Sequence, residues 1–134
     1  MIVADMNLIA SLILPSEATP AAEAVLKKDP EWTAPALWRY EFKNVLSTQI
    51  RVLGLPLNQA IELFEGAEEV IIDPELEVNA SEILRIACAE KLAAYDAEFV
   101  ALAAALGIKL VTLDKAILKA VPDLAITPLA FANS

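Results

Sequence analysis

Short apolar runs alternate with longer stretches of helical spacing along the whole chain. The runs predict strands at 2–4, 32–34, 70–72, 108–114 and 124–127. The stretches between them predict helices at 7–14, 19–28, 35–54, 58–69, 77–92 and 96–106, with a short helix ending at 120. Strands that alternate with helices pair in parallel through right-handed crossovers. The sequence therefore predicts an α/β fold, a three-layer α/β/α sandwich around a central, mainly parallel sheet.

Length and apolar content favour one domain spanning residues 1–134. Apolar residues make up 57% of the 134 positions, enough for a substantial core. No apolar run approaches the roughly 20 residues needed to cross a bilayer. The first residues meet an acid at Asp5 and carry no basic segment, unlike a signal peptide. We therefore expect the protein to act in the cytosol.

The chain has no histidine and a single cysteine, Cys88. These counts exclude catalytic triads that use histidine, and they exclude structural zinc sites. Only three glycines are present, and they form no glycine-rich phosphate loop. Any catalysis must therefore use carboxylates, hydroxyls, lysines or a metal ion bound by oxygen.

The formal net charge is −9, and almost all of it lies in one segment. Between residues 52 and 84 there are eight acids and no base. The rest of the chain carries 11 acids against 10 bases. The acidic segment is typical of a solvated helical face, and a polyanion would not bind there. The overall acidity does not exclude a nucleic acid elsewhere on the surface.

Glu41 interrupts a largely apolar helical stripe. The stripe comprises Leu37, Glu41, Val45, Thr48 and Val52. An unpaired buried carboxylate is costly, so Glu41 must lie at the edge of the stripe, pair with a distant base, or bind a cation. The nearest bases along the chain are two residues away on either side, so they point elsewhere.

Three further acids stand at predicted element ends. Asp5 and Asp114 follow strands, and Asp96 opens a helix. Each position also suits a helix cap or an acid at the positive end of a helix dipole. The carboxyl ends of parallel strands share one edge of a sheet, so all of these acids and Glu41 can converge there. Clustered carboxylates favour a hard divalent cation, which supports hydrolysis of phosphodiesters without histidine.

At these residues the sequence resembles the PIN-domain ribonucleases, and among them the VapC-like toxins of type II toxin–antitoxin pairs. The matching segments, in the family's order, are IVADMN at 2–7, PAL at 35–37 with YEFKNVL at 40–46, YDAEFVALA at 95–103 and LVTLDK at 110–115. Together they span nearly the whole chain. Each segment alone is weak, but four in order form a specific signal.

The resemblance implies an acidic pocket that binds Mg²⁺ or Mn²⁺, in a homodimer. The catalytic acids carried over are Asp5, Glu41, Asp96 and Asp114. All but Glu41 are implied as metal ligands, and Glu41 is implied to reach the ion through water or to orient the nucleophile. Thr112 and Asn7 are implied as residues that hold those ligands. The resemblance also implies an antitoxin partner whose C-terminal segment lies across the pocket.

Several other residues are candidates for contacts with RNA or with a second subunit. Candidate RNA phosphate contacts are Arg39, Lys43, Lys115 and Lys119, unless these are ordinary surface charges. Five aromatic residues could stack on unpaired bases, although core or dimer contacts are the commoner role: Trp32, Trp38, Tyr40, Tyr95 and Phe99. An apolar dimer face is expected from Leu46, Ile50 and Leu53.

The leading hypothesis is a metal-dependent endoribonuclease that, by analogy with the family, leaves a 5′-phosphate and a 3′-hydroxyl. The alternative from another class is a non-catalytic, metal-binding interaction module of receiver-like architecture, with Lys109 or Lys115 as its lysine. Against it, only Asp5 follows the first strand, where receiver-like proteins group two acids. A haloacid-type phosphatase needs a second aspartate where Asn7 stands. A structural dimer whose acids are all caps and ion pairs remains the fourth possibility.

Overall fold

The computed structural model describes residues 1–134, which form five strands and eight helices. In chain order the elements are β1 (Ile2–Ala4), α1 (Met6–Ile13), α2 (Thr19–Lys28), β2 (Trp32–Thr33), α3 (Leu37–Leu53), α4 (Leu57–Val70), β3 (Ile71–Ile72), α5 (Ala80–Glu90), α6 (Ala94–Leu106), β4 (Leu110–Val111), α7 (Lys115–Ala120), β5 (Ala125–Ile126) and α8 (Pro128–Ala132).

The strands form one sheet in the order β3-β2-β1-β4-β5, and every pair is parallel. In the central strand, Val3 is in register with Thr33 of β2 on one side and with Leu110 of β4 on the other. The chain moves outward from β1 to β3, and then crosses β1 to continue through β4 and β5. With right-handed crossovers, this order places α1–α4 on one face and α5–α7 on the other. The predicted α/β/α sandwich is confirmed.

The core lies on both faces of this sheet. All three residues of β1 are buried, as a strand covered on two sides requires. The helix α6 packs against β1 and β4, and it is apolar around most of its circumference. Its fully buried Phe99 is among the largest core side chains. This helix therefore covers the sheet where β1 and β4 meet.

Three aromatic rings pack between α3 and α4. The Phe64 ring centroid lies 5.6 Å from that of Trp38 and 6.1 Å from that of Phe42. Trp38 and Phe42 are fully buried, while Phe64 is half-buried. Offset aromatic contacts of this kind stabilise a core beyond the area that they bury. The cluster holds α3 in place, and α3 carries Glu41.

Most element positions follow the sequence prediction, and the differences have local causes. Gly107 ends α6 with φ of 67°, the left-handed conformation that glycine adopts easily, as predicted. The helix α5 begins at Ala80 rather than at 77, because the Asn79 side chain accepts a hydrogen bond from the Glu82 N–H at 2.9 Å. Val70 ends α4 instead of opening β3.

The short helix α8 was not predicted, although its start signal is present in the sequence. Thr127 caps it, since its hydroxyl accepts a hydrogen bond from the Ala130 N–H at 3.2 Å. Pro128 occupies the first helical position, where its missing N–H has no cost. The helix packs against α2 on one face of the sheet.

Burial tests the expectation of an apolar dimer face on α3. Leu46 is buried in the core, so it cannot belong to the apolar dimer face predicted for it, whereas Leu53 is 70% exposed.

None of the helices is both long enough and apolar enough to span a membrane.

Removal of one ring of the aromatic cluster should destabilise the fold without any change at the surface. We expect Phe42→Ala to lower the free energy of unfolding by about 3–5 kcal/mol, because a fully buried phenyl group leaves a cavity. Denaturant unfolding measures this change. The control is Val52→Ala on the exposed side of the same helix, which should change the value by less than about 0.5 kcal/mol. Equal effects of the two substitutions would contradict the packing described.

Candidate active site

The candidate site lies where the direction of the chain across the sheet reverses. The neighbours of β1 are β2 and β4, and the chain runs from β1 toward one edge of the sheet before it returns and continues from β4 toward the other edge. In open parallel sheets such a reversal leaves a crevice beyond the carboxyl ends of the strands. Asp5 directly follows β1, and Asp114 comes three residues after β4 ends. Both acids therefore stand at the crevice.

Asp5 is almost completely buried and strongly hydrogen-bonded. Its Oδ1 accepts a hydrogen bond from the Met6 N–H at 2.8 Å, so Asp5 also caps α1. Its Oδ2 accepts from the Thr112 hydroxyl at 2.6 Å and from the Asn7 side-chain amide at 3.3 Å. Burial raises the pKa of Asp5, and the hydrogen bonds, that from Thr112 first, oppose this rise. The carboxylate is fixed in orientation at the base of the crevice.

Thr112 and Asn7 join the ends of β1 and β4. The Thr112 hydroxyl donates to Asp5 and accepts a hydrogen bond from the Asp114 N–H at 3.0 Å. The Asn7 amide nitrogen also lies 3.3 Å from the Thr112 hydroxyl, and its Oδ1 accepts from the Leu113 N–H at 3.1 Å. One buried hydroxyl thus holds the side chain of the first acid and the backbone of the last.

Asp114 caps α7. Its Oδ1 accepts hydrogen bonds from the N–H groups of Ala116 at 2.8 Å and Ile117 at 3.1 Å. Its Oδ2 takes part in no hydrogen bond within the chain. The capping role foreseen for Asp5 and Asp114 is therefore real, and it occupies one oxygen of Asp114. The other oxygen remains available to a ligand.

Glu41 has neither a hydrogen bond nor a basic partner. Its Oε1 is buried with no hydrogen-bond partner. The neighbouring Arg39 is bound elsewhere, since its guanidinium lies 3.0 Å from Asp73 and 3.5 Å from Glu68. Burial, followed by the charges of Asp5 and Asp96, raises the pKa of Glu41 to about 7. The structure therefore does not show Glu41 paired with a base, which was one of the three alternatives for this residue.

Asp96 completes the group from the first turn of α6. It is half-buried, and burial raises its pKa, with smaller contributions from the charges of Asp114 and Asp5. Glu41 is coupled in turn to Asp5 and Asp96. Repulsion therefore links all four acids, which arrive from four separate parts of the chain. The four candidate catalytic residues therefore lie close enough for their charges to interact, at the carboxyl edge of the sheet.

The donor set fits a hard divalent cation. All four side chains offer oxygen only, and the unpartnered Oε1 of Glu41 is a buried acceptor with nothing to bind in the chain itself. No three of the acids stand together as a ready set of metal ligands. Mg²⁺ in particular is commonly held by one or two carboxylates, with water and substrate phosphate completing its shell. The arrangement is compatible with that kind of binding.

The candidate phosphate contacts fall into two groups. Lys43, Lys115 and Lys119 are exposed and form no ion pair, and the latter two lie on α7 just after Asp114. Arg39 is already paired with two acids, which the sequence did not indicate because both partners are distant along the chain. Lys115 and Lys119 are therefore the available cations next to Asp114, whereas Lys43 lies two residues from Glu41 and on another side of α3.

The comparisons with known proteins agree with this architecture. The family model described as "PIN domain" matches residues 2–124. The crystal structure of PAE2754 from Pyrobaculum aerophilum is similar with a TM-score of 0.76 and 21% identity, over 99% of this chain and 97% of that chain. FitAcB from Neisseria gonorrhoeae is similar with a TM-score of 0.59 and 21% identity, over 96% and 98%. At this identity the two structures show a shared fold. No match was found among curated proteins.

The unpartnered Glu41 should make the metal-free protein less stable as the pH rises. Its pKa is about 7 in the folded state against 4.5 for the ordinary side chain, so stability present below about pH 4.5 is lost as the pH rises through about 7. We expect Glu41→Gln to raise the free energy of unfolding at pH 8 by roughly 1–2 kcal/mol, reduced from the full shift because Glu41 is partly solvated. At pH 5 the gain should largely disappear.

Thermal unfolding in the presence of a chelator, at pH 5 and pH 8, tests this expectation. Glu62→Gln on the exposed face of α4 removes the same charge and serves as the control for net charge. A gain at pH 8 that is equal in both variants would mean that Glu41 carries no special repulsion.

For the stability of the fold, the hydroxyl group of Thr112 should matter more than the volume of its side chain. Thr112→Val keeps the volume but leaves Asp5, Asn7 and the Asp114 N–H without a shared partner, so the free energy of unfolding should fall by about 1–3 kcal/mol. Thr112→Ser retains the hydroxyl and loses one methyl group, at a cost of roughly 1 kcal/mol. Denaturant unfolding of both variants decides the point. A valine variant as stable as the serine variant would show that the hydroxyl network is dispensable.

Proposed function

This chain belongs to the PIN-domain family, and from that premise we propose that it is a metal-dependent endoribonuclease, the toxin of a toxin–antitoxin pair. PIN domains are generally nucleases. The observation that carries the proposal is the buried, unpartnered Oε1 of Glu41, whose charge is coupled to those of Asp5 and Asp96, while Asp96 is coupled in turn to Asp114. Such a cluster is costly in an empty site and is stabilised by a bound cation.

The proposed roles follow from the contacts of each acid. Asp5, Asp96 and Asp114 would hold Mg²⁺ or Mn²⁺. When bound, such an ion lowers the pKa of water and offsets negative charge on the reacting phosphate. Thr112 and Asn7 keep the Oδ2 of Asp5 in a fixed orientation through their hydrogen bonds.

Glu41 is proposed to orient the attacking water. Its Oε1 can accept a hydrogen bond from that water, because no group of the protein occupies it. The water oxygen forms the new bond to phosphorus, and the bond from phosphorus to the 3′-oxygen breaks. The attacking water gives up one proton and the departing oxygen takes up one, so the protons balance and the products are a 3′-hydroxyl and a 5′-phosphate.

Charge placement is compatible with RNA at the crevice. The acidic segment 52–84 carries eight of the 19 acids, and four more form the site, which leaves seven acids against ten bases elsewhere. The exposed Lys43, Lys115 and Lys119 are proposed to contact phosphates on either side of the cleaved bond. Arg39 would first have to release Asp73 and Glu68.

We propose two protein partners on the basis of the VapC-like resemblance. The first is a cognate antitoxin, and the acidic surface favours a basic segment of that partner across the crevice. The second is another copy of this chain in a homodimer, for which the exposed Leu53 is a candidate contact.

Loss of one proposed ligand should abolish cleavage. We expect Asp96→Asn to reduce the rate of RNA cleavage by about 100-fold or more, because the neutral amide binds a cation more weakly than a carboxylate and does not balance its charge. The assay uses a panel of structured RNAs, including tRNA and ribosomal fragments, with Mg²⁺ or Mn²⁺ and with a chelator. Asp123→Asn, the same substitution at an exposed position outside the site, is the matched control and should cleave as the wild type does.

The outcomes separate the candidate functions. Cleavage that requires the metal ion and is lost only in Asp96→Asn supports the nuclease. Binding of Mn²⁺ without cleavage of any RNA in the panel would favour the non-catalytic, receiver-like module. Absence of both would leave the four acids with a structural role only.

A further inference from the structure

A groove of about 520 Å³ lies beside the start of α3 and contains none of the four candidate catalytic acids. It is bounded by residues 35–37, by α6 and by the segment 73–78, which connects β3 to α5. The proposed nuclease chemistry makes no use of this groove. Its surface is therefore available to a ligand other than the metal ion and the RNA.

The groove combines apolar and acidic side chains. Leu37 of α3 and Leu102 of α6 contribute apolar surface, and so does Leu76, of which 37% is exposed. No base lines the groove, but four acids do, and we call them the groove acids: Asp73, Glu75, Glu77 and Glu98. Apolar surface beside uncompensated negative charge suits a ligand that carries both aliphatic and cationic groups.

Most of the groove acids have no basic partner. Asp73 is paired with Arg39, whose guanidinium lies 3.0 Å from its Oδ1, but Glu75, Glu77 and Glu98 form no ion pair. Burial raises the pKa of Glu98, and the charge of Glu77 raises it further, so like charges from α6 and from the segment 73–78 meet at the groove. The pair formed by Asp73 shows which kind of group relieves such repulsion, namely a guanidinium.

The backbone of the segment 73–78 offers unused hydrogen-bonding groups. The segment belongs to no helix or strand, and none of its N–H or carbonyl groups bonds to another backbone group of the chain. Because Pro74 has no N–H, five N–H groups and six carbonyls are available. Extended peptides bind through such groups, while alternate side chains of the peptide enter pockets.

Two other classes of ligand fit the groove less well. A nucleic acid would be repelled by the groove acids. A divalent cation requires several oxygen ligands that converge, and no three acids of the chain are grouped in that way. A peptide is the ligand that can use the apolar surface, the acids and the free backbone together.

We propose that this groove binds an extended segment of a partner protein in which basic residues alternate with aliphatic ones. The aliphatic side chains contact Leu37 and Leu102, the basic side chains pair with Glu75 and Glu77, and the peptide backbone bonds to the segment 73–78. The inference goes beyond the proposed nuclease and does not depend on it, because the groove contains none of the catalytic acids.

Binding of a defined peptide to the full chain tests the inference. The probe is a fluorescent peptide of sequence KLRVKLR, and the readout is fluorescence anisotropy. We expect Glu75→Gln/Glu77→Gln to weaken binding by roughly three- to tenfold, because two exposed ion pairs are lost. The matched control, Glu62→Gln/Glu69→Gln, removes the same charge from exposed positions of α4 and should bind within about twofold of the wild type.

Two further peptides separate the sequence pattern from charge. The peptide KKRRLLV has the same composition and charge but lacks the alternation. A version of KLRVKLR with N-methyl groups on alternate residues keeps the side chains and loses backbone donors. Both should bind about tenfold more weakly than KLRVKLR, because each removes contacts that an extended peptide makes along the groove.

Hydrogen exchange locates the bound peptide. The amides of residues 75–78 form no backbone hydrogen bond, so they should exchange rapidly in the free protein. At a peptide concentration about ten times the Kd, their exchange should slow by about tenfold. Asp96→Asn alters the crevice and not the groove, so this variant should bind KLRVKLR about as the wild type does.

The inference is overturned if the wild type does not bind KLRVKLR, if KKRRLLV binds equally well, or if exchange of the amides 75–78 does not change. A loss of binding in Asp96→Asn as large as that in Glu75→Gln/Glu77→Gln would place the peptide at the catalytic acids and would also overturn it. So would a change of oligomeric state in the groove variant, seen by sedimentation, because the groove would then belong to a subunit interface. Failure of the wild type to cleave RNA counts only against the proposed nuclease.

Discussion

The pairing of β1 with β4 joins residues that lie more than a hundred positions apart, and the candidate site depends on it. The Asp5 N–H donates to the carbonyl of Val111 at 3.1 Å, directly below the point where both strands end. Thr112 then reaches back across the same gap to the Asp5 carboxylate. Because β1 is the central strand, any shift in this register would move Asp5 relative to Asp114 and would also disturb the packing of α6 above the pair. The contacts between β1 and β4 therefore support both the fold and the candidate site.

Repulsion between the carboxylates at the carboxyl edge of the sheet opposes folding. Asp5, Glu41 and Asp96 all have raised pKa values, with burial as the first cause and neighbouring carboxylates as a further one. A chain selected for stability alone would place a base beside Glu41, and Arg39 shows that one is close along the helix. Arg39 is directed instead toward Glu68 and Asp73, on the acidic side of the molecule. The unpaired acids form an environment that favours a cation, which is a common pattern where stability is reduced at a functional site.

The division of charge limits where a nucleic acid, the proposed substrate, can lie on the surface. The acidic segment lies along α4 and the connection to α5, and it occupies the one arginine near Glu41. Lys115 and Lys119 directly follow Asp114 on α7, are exposed and form no ion pair. For the proposed nuclease, the surface beside Asp114 on α7 is therefore the more favourable side for a phosphate.

The sequence by itself predicted most of the strands and helices, the parallel sheet and the acids that stand at unusual positions. It could do so because the spacing of apolar residues and the effects of proline and glycine act over only a few residues. Glu41 stood out as a charge within an apolar stripe, and Asp5 and Asp114 stood out at strand ends. Tertiary structure alone decided which of these acids face one another, since that depends on the strand order and on crossovers between distant segments. It also decided that Arg39 pairs with Asp73, that Leu46 is buried, and that Tyr40 and Tyr95 remain exposed while Trp32, Trp38 and Phe99 do not. Burial and ion pairing depend on residues that come into contact only after folding. For that reason the sequence could identify the candidate residues but could not show which of them are buried, paired or exposed.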